Sequence, residues 1–311
     1  MKRKLTIFII FLILIYLLSC PQHAYFYAKD GILLWYSKIL PTLLPFTILM
    51  NIILPLGILN PLCNGLEKKL KRILPISVYG WYVFFCGYLF GFPMGAKVTA
   101  DLVQQKKLSI AEGNILGSSC NQFGPMFISS YIMTQSLHCS FYMIPGFVIL
   151  YGSSLVVMIA QFLILHNPST PQKRNPIRPV SKQSLTFQIL DGAIMNGFEL
   201  MLKLCGYIVI FSLLSGMISA LPDFGTYVGE AATGLLEVTN GIHAITSTNL
   251  AFSEKFIFCL GITSFGGLSG LAQTASFYKE SGLSICYYCC VKIANGVLTV
   301  LFSIFFLSLV S

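Results

Sequence analysis

The chain reads FGFPMGAKVTA over residues 90–100 and FGGLSGLAQTA over residues 265–275. The two stretches align without gaps at an offset of 175 residues, and seven of the 20 pairs from Phe90 to Ser109 are identical. Each contains a Gly-x-x-x-Gly pair, Gly91/Gly95 in the first and Gly266/Gly270 in the second. Glycine and proline inside an apolar run interrupt a helix. The pattern therefore predicts a broken helix that occurs twice.

The apolar runs around these stretches are long enough to cross a bilayer. The 311 residues are 55% hydrophobic and 10% charged, with a mean hydropathy of +0.77, whereas soluble domains carry about 25% charged residues. A helix that crosses the hydrocarbon core needs about 20 apolar residues. Interrupted backbone at that depth must line a cavity within the protein. We therefore predict an all-α, polytopic membrane protein, with a re-entrant hairpin at the first interruption.

The basic residues are grouped. Thirteen of the 20 Lys and Arg residues fall in four clusters that flank apolar segments, as the positive-inside rule expects of cytoplasmic loops. This placement indicates a lipid bilayer as the partner of the basic surface and argues against nucleic acid. The clusters are Lys2-Arg3-Lys4, then Lys68, Lys69, Lys71 and Arg72, then Lys106-Lys107, and finally Lys173, Arg174, Arg178 and Lys182.

The charge pattern divides the chain into four segments. Residues 1–29 form an N-terminal transmembrane helix and short loop, 30–166 a first repeat, 167–184 a basic cytoplasmic linker, and 185–311 a second repeat. With every basic cluster inside, the first broken segment enters from the cytoplasm and the second from outside. We therefore predict two inverted repeats, each containing a broken helix or re-entrant hairpin. Such repeats are typical of transporters, with the substrate near the midplane.

The first apolar run ends in Leu17-Leu18-Ser19-Cys20, which also resembles the cleavage and lipidation signal of bacterial lipoproteins. We favour an uncleaved first helix, because the rest of the chain is itself apolar and needs no lipid anchor.

Charged residues inside apolar runs are candidate functional residues, because their burial costs free energy unless it is compensated. Lys97 follows the first interruption, and it either contacts a substrate or pairs with Asp101 one turn further on. Lys292, in the last apolar run, either faces a cavity or extends to the membrane surface. Glu237 binds a nucleoside ribose, couples a proton or Na⁺, or is a solvated loop carboxylate.

A second polar interruption follows the first, within residues 118–125. Its amide side chains are expected to face a polar cavity, since exposure to lipid would be costly. The N–H groups at the starts of the interrupted helices suit a polar or anionic ligand. The predicted substrate-binding residues are Gly91, Pro93, Gly95, Lys97, Ser119, Asn121, Gln122, Glu237, Asn240, Gly266, Ser269, Gly270, Gln273 and Thr274.

These features predict a transporter that moves a small polar or anionic solute by alternating access. The alternative is a non-transporting membrane protein that is the partner of an envelope assembly. We do not expect an enzyme, because no nucleophile–base pair or P-loop is present. We expect no cofactor or metal, since Cys286-x-x-Cys289 has no second pair or His nearby. The sequence leaves open whether H⁺ or Na⁺ is the coupling ion and whether the chain forms a homo-oligomer.

The interruptions also carry a family resemblance. Over residues 30–305 the chain resembles the nucleoside-recognition Gate-domain family, and within it the integral membrane proteins of sporulation. The motifs are Gly91-Phe92-Pro93-Met94-Gly95-Ala96-Lys97, Asn121-x-x-Gly124-Pro125-x-Phe127 and Glu237-x-Thr239-x-Gly241. The wider family is similar to the core of concentrative nucleoside transporters and to the gate of ferrous-iron transporters.

The family resemblance also implies a substrate class and a location in the cell. Members of the sporulation branch are implicated in moving dipicolinic acid across the outer forespore membrane during endospore formation. The resemblance therefore implies a dipicolinate-like or nucleoside-like substrate and a multi-pass protein of the cell membrane, the outer forespore membrane in a sporulating cell. It also implies that Lys97 and the hairpin-tip amides meet a dicarboxylate. The second stretch has Ala272 where the first has Lys97.

Overall fold

The computed structural model describes residues 2–53, 55–70, 74–165, 185–219 and 233–310. Within these ranges every regular element is helical. Five helical segments are long and apolar enough to cross a membrane, which agrees with the predicted all-α membrane protein. They are Pro21–Ile53, Ser140–Ile164, Phe187–Met217, Phe252–Tyr278 and Ile285–Val310. The predicted linker 167–184 lies outside the described residues, as do Lys71 and Arg72 of the second basic cluster.

The N-terminal half contains a long helical run that packs against a helix from later in the chain. Helix α1 is Lys2–Ser19, and α2 (Pro21–Leu34), a π-helical segment (Trp35–Ile39) and α3 (Leu40–Ile53) form one long helical run. This run lies antiparallel to α9, the helix Phe187–Ser219. Near one end of the pair Ser212 Oγ donates to the Tyr27 carbonyl at 2.8 Å, and near the other Asn51 Nδ2 donates to the Ala193 carbonyl at 3.3 Å. Helix α4, Asn60–Leu70, follows.

The first broken segment turns back on itself. Helix α5 (Val78–Phe85) continues as a π-helical segment (Cys86–Phe90), and α6 is Met94–Gln104. Both limbs pack on α7, Ile110–Ser119. The first limb runs parallel to α7 and the second antiparallel to it. The packed pairs are Gly80 with Glu112, Gly87 with Cys120, Gly95 with Asn121, and Val103 with Gly113. The segment is therefore a helical hairpin, and that it is re-entrant in the membrane stays a prediction.

The hairpin opens toward one end of the bundle, which we call the basic end and define by the exposed residues Lys68, Lys69, Lys106 and Lys107. From there α7 and a π-helical segment, Phe127–Ser136, lead to the opposite end. Helix α8, Met143–Ile164, returns. Between the two parts of the first crossing, residues 121–124 are not helical. The crossing is therefore broken halfway, where the sequence showed its second polar interruption.

The C-terminal part contains α10 (Val238–Thr246), α11 (Phe252–Phe265), α12 (Gly267–Tyr278) and α13 (Ile285–Val310). Helix α11 runs antiparallel to α13, with the Phe256 and Phe306 ring centroids 6.2 Å apart at the end opposite the basic end. Helix α12 continues past the interruption toward the basic end. There Tyr278 lies beside Gly117, and Leu283 lies beside Gly113.

The second broken segment is therefore a crossing and not a hairpin. Of the two forms that the sequence allowed, a broken helix or a re-entrant hairpin, it takes the first. Gly266 and Gly267 join the two helices: Gly266 ends α11 with φ +88°, and Gly267, the first residue of α12, has φ +68°. These two residues offset the helix axis without reversing it. As a result α6 and α12, which align at the 175-residue offset, both lie antiparallel to α7 and run in the same direction.

A different segment turns back from the opposite end. Leu236 and Glu237 pack against Gly267 at the second interruption. From Glu237, helix α10 runs antiparallel to α11, with Gly241 against Ile262, to the end where Lys255 Nζ donates to the Thr246 carbonyl at 3.0 Å. The sequence predicted no hairpin here and indicated Glu237 only as a candidate functional residue; α10 has nine residues, fewer than a crossing helix needs.

These directions predict a labelling pattern. In a background with the ten native cysteines replaced, Lys107→Cys and Lys279→Cys should react with a membrane-impermeant maleimide from the same side of a vesicle. Ser247→Cys should react from the other side. All three positions are exposed. Labelling of right-side-out and inside-out vesicles measures this, and labelling of Lys279→Cys together with Ser247→Cys would instead mean two antiparallel hairpins.

Candidate functional site

Four interruptions of the helices meet near the middle of the bundle. At the first hairpin tip the Phe92 N–H donates to the Gln122 carbonyl in the α7 break at 2.6 Å. The Phe92 ring also lies against Gly270 of α12. The turn at Glu237 packs on Gly267. Because interrupted helices leave backbone N–H and C=O groups without intrahelical partners, this region concentrates polar groups in the centre of an apolar bundle.

Asn121 connects three of the elements. Its Oδ1 accepts from the Ala96 N–H of α6 at 3.2 Å, and its Nδ2 donates to Tyr288 OH of α13 at 2.9 Å and to Thr274 Oγ1 of α12 at 3.4 Å. The residue is 1% exposed. A buried amide with both ends bonded fixes the relative positions of the helices that it joins.

Lys292 is the charged side chain at this centre. Its Nζ donates to the Asn121 carbonyl at 2.7 Å and to the Ser264 carbonyl at 3.3 Å, and the residue is 1% exposed. These carbonyls lie at the C-terminal ends of α7 and α11, where the helix dipole is negative. Within the described ranges the ion pair is Lys203–Glu199, so no described carboxylate pairs with Lys292. Its charge is offset by the two helix-end carbonyls and by the Tyr288 ring.

Hydroxyl and amide groups extend the centre along α13 and α8. Thr299 Oγ1 donates to Ser264 Oγ at 2.8 Å and lies 2.7 Å from Ser153 Oγ. Asn295, between Lys292 and Thr299 on α13, is 1% exposed, and neither its Nδ2 nor its Oδ1 has a partner. Buried amides are nearly always bonded. Asn295 therefore marks a place where a ligand, a water or a moving side chain completes the site.

A second polar network surrounds the end of α7. Ser154 Oγ of α8 donates to the Ser119 carbonyl at 2.5 Å and accepts from Gln122 Nε2 at 3.2 Å and from Tyr88 OH at 2.9 Å. Gln161 Nε2 donates to Ser119 Oγ at 2.8 Å. These bonds give hydrogen-bond partners to polar groups at the α7 break. Ser119 and Gln122 therefore fix the break against α8.

Glu237 caps its own helix. The carboxylate accepts hydrogen bonds from the Asn240 N–H, at 2.8 Å, and from Thr239 Oγ1. The residue is 4% exposed, so it is not a solvated loop carboxylate. Tyr131 OH donates to the Thr239 carbonyl at 2.8 Å, which ties this turn to the segment after the α7 break. The Nδ2 of Asn240 is buried without a partner.

A row of rings joins the two turning points. Phe92 and Phe123 lie 5.6 Å apart, Phe123 and Phe127 4.4 Å, and Phe127 and Tyr131 5.0 Å between ring centroids. The row runs from the first hairpin tip to the residue that holds the Glu237 turn. It gives the centre an apolar side between these two turning points.

Lys97 lies apart from the buried centre. Its side chain is exposed on α6, and it interacts electrostatically with Asp101 and with Glu199 of α9 without a close ion pair to either. Glu199 and Lys203 are themselves 64% and 60% exposed and pair at 2.7 Å. These four charges form an exposed surface between α6 and α9, which we call the α6–α9 charged surface.

The structure brings most of the predicted site residues together. Gly95, Asn121 and Thr274 are in contact, Gly270 adjoins the first tip, and Gly91 packs on the α7 break. Lys97 is exposed and Gly266 half-buried, whereas the other predicted residues are buried: Gly91, Pro93, Gly95, Ser119, Asn121, Gln122, Glu237, Asn240, Ser269, Gly270, Gln273 and Thr274. That these residues bind a substrate stays a prediction. Among the described residues no three His, Cys, Asp or Glu side chains group as metal ligands.

The list of predicted substrate-binding residues omits four residues of the centre: Tyr288, Lys292, Asn295 and Thr299. Of these, Lys292 is a candidate from the sequence that either faces a cavity or extends to the membrane surface, and it is buried. The four residues recur at three- and four-residue spacing in α13, which places them on one helix face. All four are buried. This periodic polar stripe in an apolar helix is a signal that the sequence did contain.

The fold and this centre define a multi-pass helical membrane protein whose polar core is built from interrupted helices. No family model matches the chain, and no solved structure matches it. The chain is distantly related to the sporulation integral membrane protein YlbJ of Bacillus subtilis (strain 168). The two are 25% identical over 318 residues, which cover 92% of this chain and 78% of that protein. Membership of the Gate-domain family stays a prediction.

Proposed function

We propose that the chain is a transporter that carries a small polar or anionic solute by alternating access between two inverted halves. One observation carries this proposal: four chain interruptions converge on a buried polar centre that contains an unpaired lysine among the described residues. Broken helices at mid-membrane are tolerated where they line a cavity, and in transporters they form the substrate site.

The two proposed halves are residues 78–164 and 233–310. Each has a segment that turns back (78–104 and 233–246), a broken crossing (110–136 and 252–278) and a further crossing (α8 and α13). The turning segments open to opposite ends, and the paired crossings run in opposite directions, which supports the inversion. This pairing differs from the one at the 175-residue offset.

An anionic solute suits the centre best. Helices α6 and α12 both begin at the interruptions, and helix N-termini favour negative charge. The α6–α9 charged surface supports an aqueous approach, since a charged pair near the middle of a crossing helix would be costly against lipid. A dipicolinate-like solute fits, with a nucleoside-like solute as the second candidate. The relationship to YlbJ supports a role in spore formation and a place in the outer forespore membrane.

Uptake into proteoliposomes tests the proposal. The purified protein should take up radiolabelled dipicolinate or uridine above the level of empty liposomes. Lys97→Met should lower uptake about tenfold, the effect of losing one charge-assisted contact, whereas Lys279→Met should leave it unchanged. Lys279 is an exposed lysine just after α12 and serves as the matched control. Uptake equal to empty liposomes for both solutes would favour a non-transporting partner of an envelope assembly.

A further inference from the structure

We propose that Lys292 is a built-in cation that takes the place of a coupling Na⁺, so that transport is coupled to protons and independent of Na⁺. This inference rests on the proposed function for its transport part. Its structural part is that the lysine ammonium fills the space between two interrupted helices that a bound metal cation would otherwise occupy.

The contacts of Lys292 resemble those of a bound cation. Its Nζ donates to the Asn121 carbonyl at 2.7 Å and to the Ser264 carbonyl at 3.3 Å. The Ser264 hydroxyl in turn accepts from Thr299 Oγ1 at 2.8 Å. Unwound backbone carbonyls and helix C-terminal ends are the groups that hold Na⁺ in broken-helix transporters. Here the ammonium already occupies two such carbonyls.

The elements packed around Lys292 contribute little other charge. Tyr288 on its own helix places its ring centroid 5.8 Å from Nζ, and Cys120 after α7 interacts with it electrostatically. The remaining titratable groups of the packed helices are Glu112 on α7, Tyr151 on α8, Glu254, Lys255 and Cys259 on α11, and Tyr278 on α12. Within the described ranges no carboxylate pairs with the Lys292 amine. The positive charge at the centre is therefore present only while Lys292 is protonated.

Loss of that proton changes the centre in a defined way. The ammonium releases one proton to water and becomes a neutral amine, and the site loses one positive charge and one N–H donor. The attraction that holds the ends of α7 and α11 to α13 then weakens. Asn295, with an unsatisfied amide oxygen one turn along α13, offers a second acceptor when the amine leaves these carbonyls.

The same residue links this cation to the solute. The Asn121 backbone carbonyl accepts from Lys292, and its side chain holds the start of α6, where we place the anion. An anion is bound more favourably while Lys292 is charged. We therefore infer that a proton and the anionic solute cross in the same direction.

Proteoliposomes loaded with buffer test the coupling, with radiolabelled dipicolinate as the probe. An inward pH gradient should raise uptake by the wild type about fivefold or more, and an inward Na⁺ gradient at equal pH should not change it. Lys292→Met should lose the response to the pH gradient: its uptake, lower than that of the wild type because the anion loses the favourable charge, should be the same with and without the gradient. Lys255→Met is the matched control, because Lys255 also donates to a helix-end carbonyl but lies at the far end of α11, and it should keep the response.

Two results of this assay overturn the inference: uptake driven by the Na⁺ gradient, or a pH response retained in Lys292→Met. Absence of uptake by the wild type overturns dipicolinate as the solute of the proposed function instead. In that case a second measurement, which needs no transport, tests the inference about Lys292 by itself.

That measurement is thermal unfolding in detergent, with NaCl compared against choline chloride at equal concentration. The melting temperature of the wild type should be the same in both salts. Lys292→Ala exposes the carbonyls, so Na⁺ should raise its melting temperature by about 2 °C or more. Stabilisation of the wild type by Na⁺, or no effect of Na⁺ on a folded Lys292→Ala, contradicts the inference. If that variant does not fold, the Lys292→Met uptake assay remains decisive.

Discussion

Gly91→Ala is expected to prevent stable folding of the protein. Gly91 has φ +75° and ψ −168°, a conformation essentially confined to glycine, which costs other residues about 1–3 kcal/mol. A Cβ there would also overlap the backbone N and Cα of Gly124 in the α7 break. Backbone atoms cannot rotate away, so we expect a total loss of about 4 kcal/mol. Thermal unfolding monitored by size-exclusion chromatography should show a melting temperature lower by about 10 °C, or no monodisperse protein.

Substitutions of two other glycines separate the effect of backbone strain from the effect of the steric overlap. Gly266 has φ +88° but would meet no atom within 4 Å, so Gly266→Ala should cost only the backbone strain of about 1–2 kcal/mol. Gly152, within α8, also has open space around it, and alanine there should be neutral or stabilising by up to about 1 kcal/mol. If Gly91→Ala were as stable as Gly266→Ala, the close approach of the first tip to the α7 break would be wrong.

Asn121→Ala should give the second largest loss. The change removes three hydrogen bonds and takes from the buried Ala96 N–H its Asn121 acceptor, while Tyr288 OH keeps only its bond to Thr274. An unsatisfied buried group costs about 1–3 kcal/mol, so we expect a loss of about 3 kcal/mol in the free energy of unfolding. Dipicolinate uptake should also be abolished, since α6, α12 and α13 lose their common contact. Thermal unfolding and proteoliposome uptake measure the two effects.

Asn114→Ala is the control for this prediction. Asn114 lies on α7, the helix that ends just before Asn121, is half-buried, and accepts a hydrogen bond from the Ser284 N–H through its Oδ1 at 2.9 Å. Its replacement should cost about 1 kcal/mol and leave uptake in place. Equal effects of the two substitutions would show that Asn121 is an ordinary packing residue and does not organise the centre.

Composition alone predicted an integral membrane protein. A chain with 10% charged residues and several long apolar runs can bury the apolar surface of those runs only in lipid. The first hairpin was also predictable, because glycine and proline interrupt a helix through local sterics. In the site, Asn121 and Gln122 were recognisable as polar groups inside an apolar run, since their cost in lipid depends on residue type.

The direction of the second broken segment was not predictable in the same way. Gly266 and Gly91 look alike in sequence, and both adopt positive φ. Whether the chain then turns back or continues depends on which helix it packs against. Tyr278 and Leu283 find their contacts on α7, at Gly117 and Gly113, and so α12 continues to the basic end.

The role of Lys292 was open for a related reason. Helix α13 is apolar over most of its length, so its composition does not say which face meets lipid. The fold orients the stripe from Tyr288 to Thr299 inward by packing α13 against α11, α8 and α7. Lys292 therefore meets two carbonyls that are far from it in the chain.

The amino-acid sequence by itself determined that the chain lies in the membrane and where its helices break, because hydrophobic transfer and backbone sterics act over a few residues. Only the tertiary structure decided which interruptions meet, which segments reverse direction, and that a lysine lies between two helix ends. Those outcomes depend on close packing and hydrogen bonds between residues more than 100 positions apart, such as Asn121 with Tyr288 and Lys292.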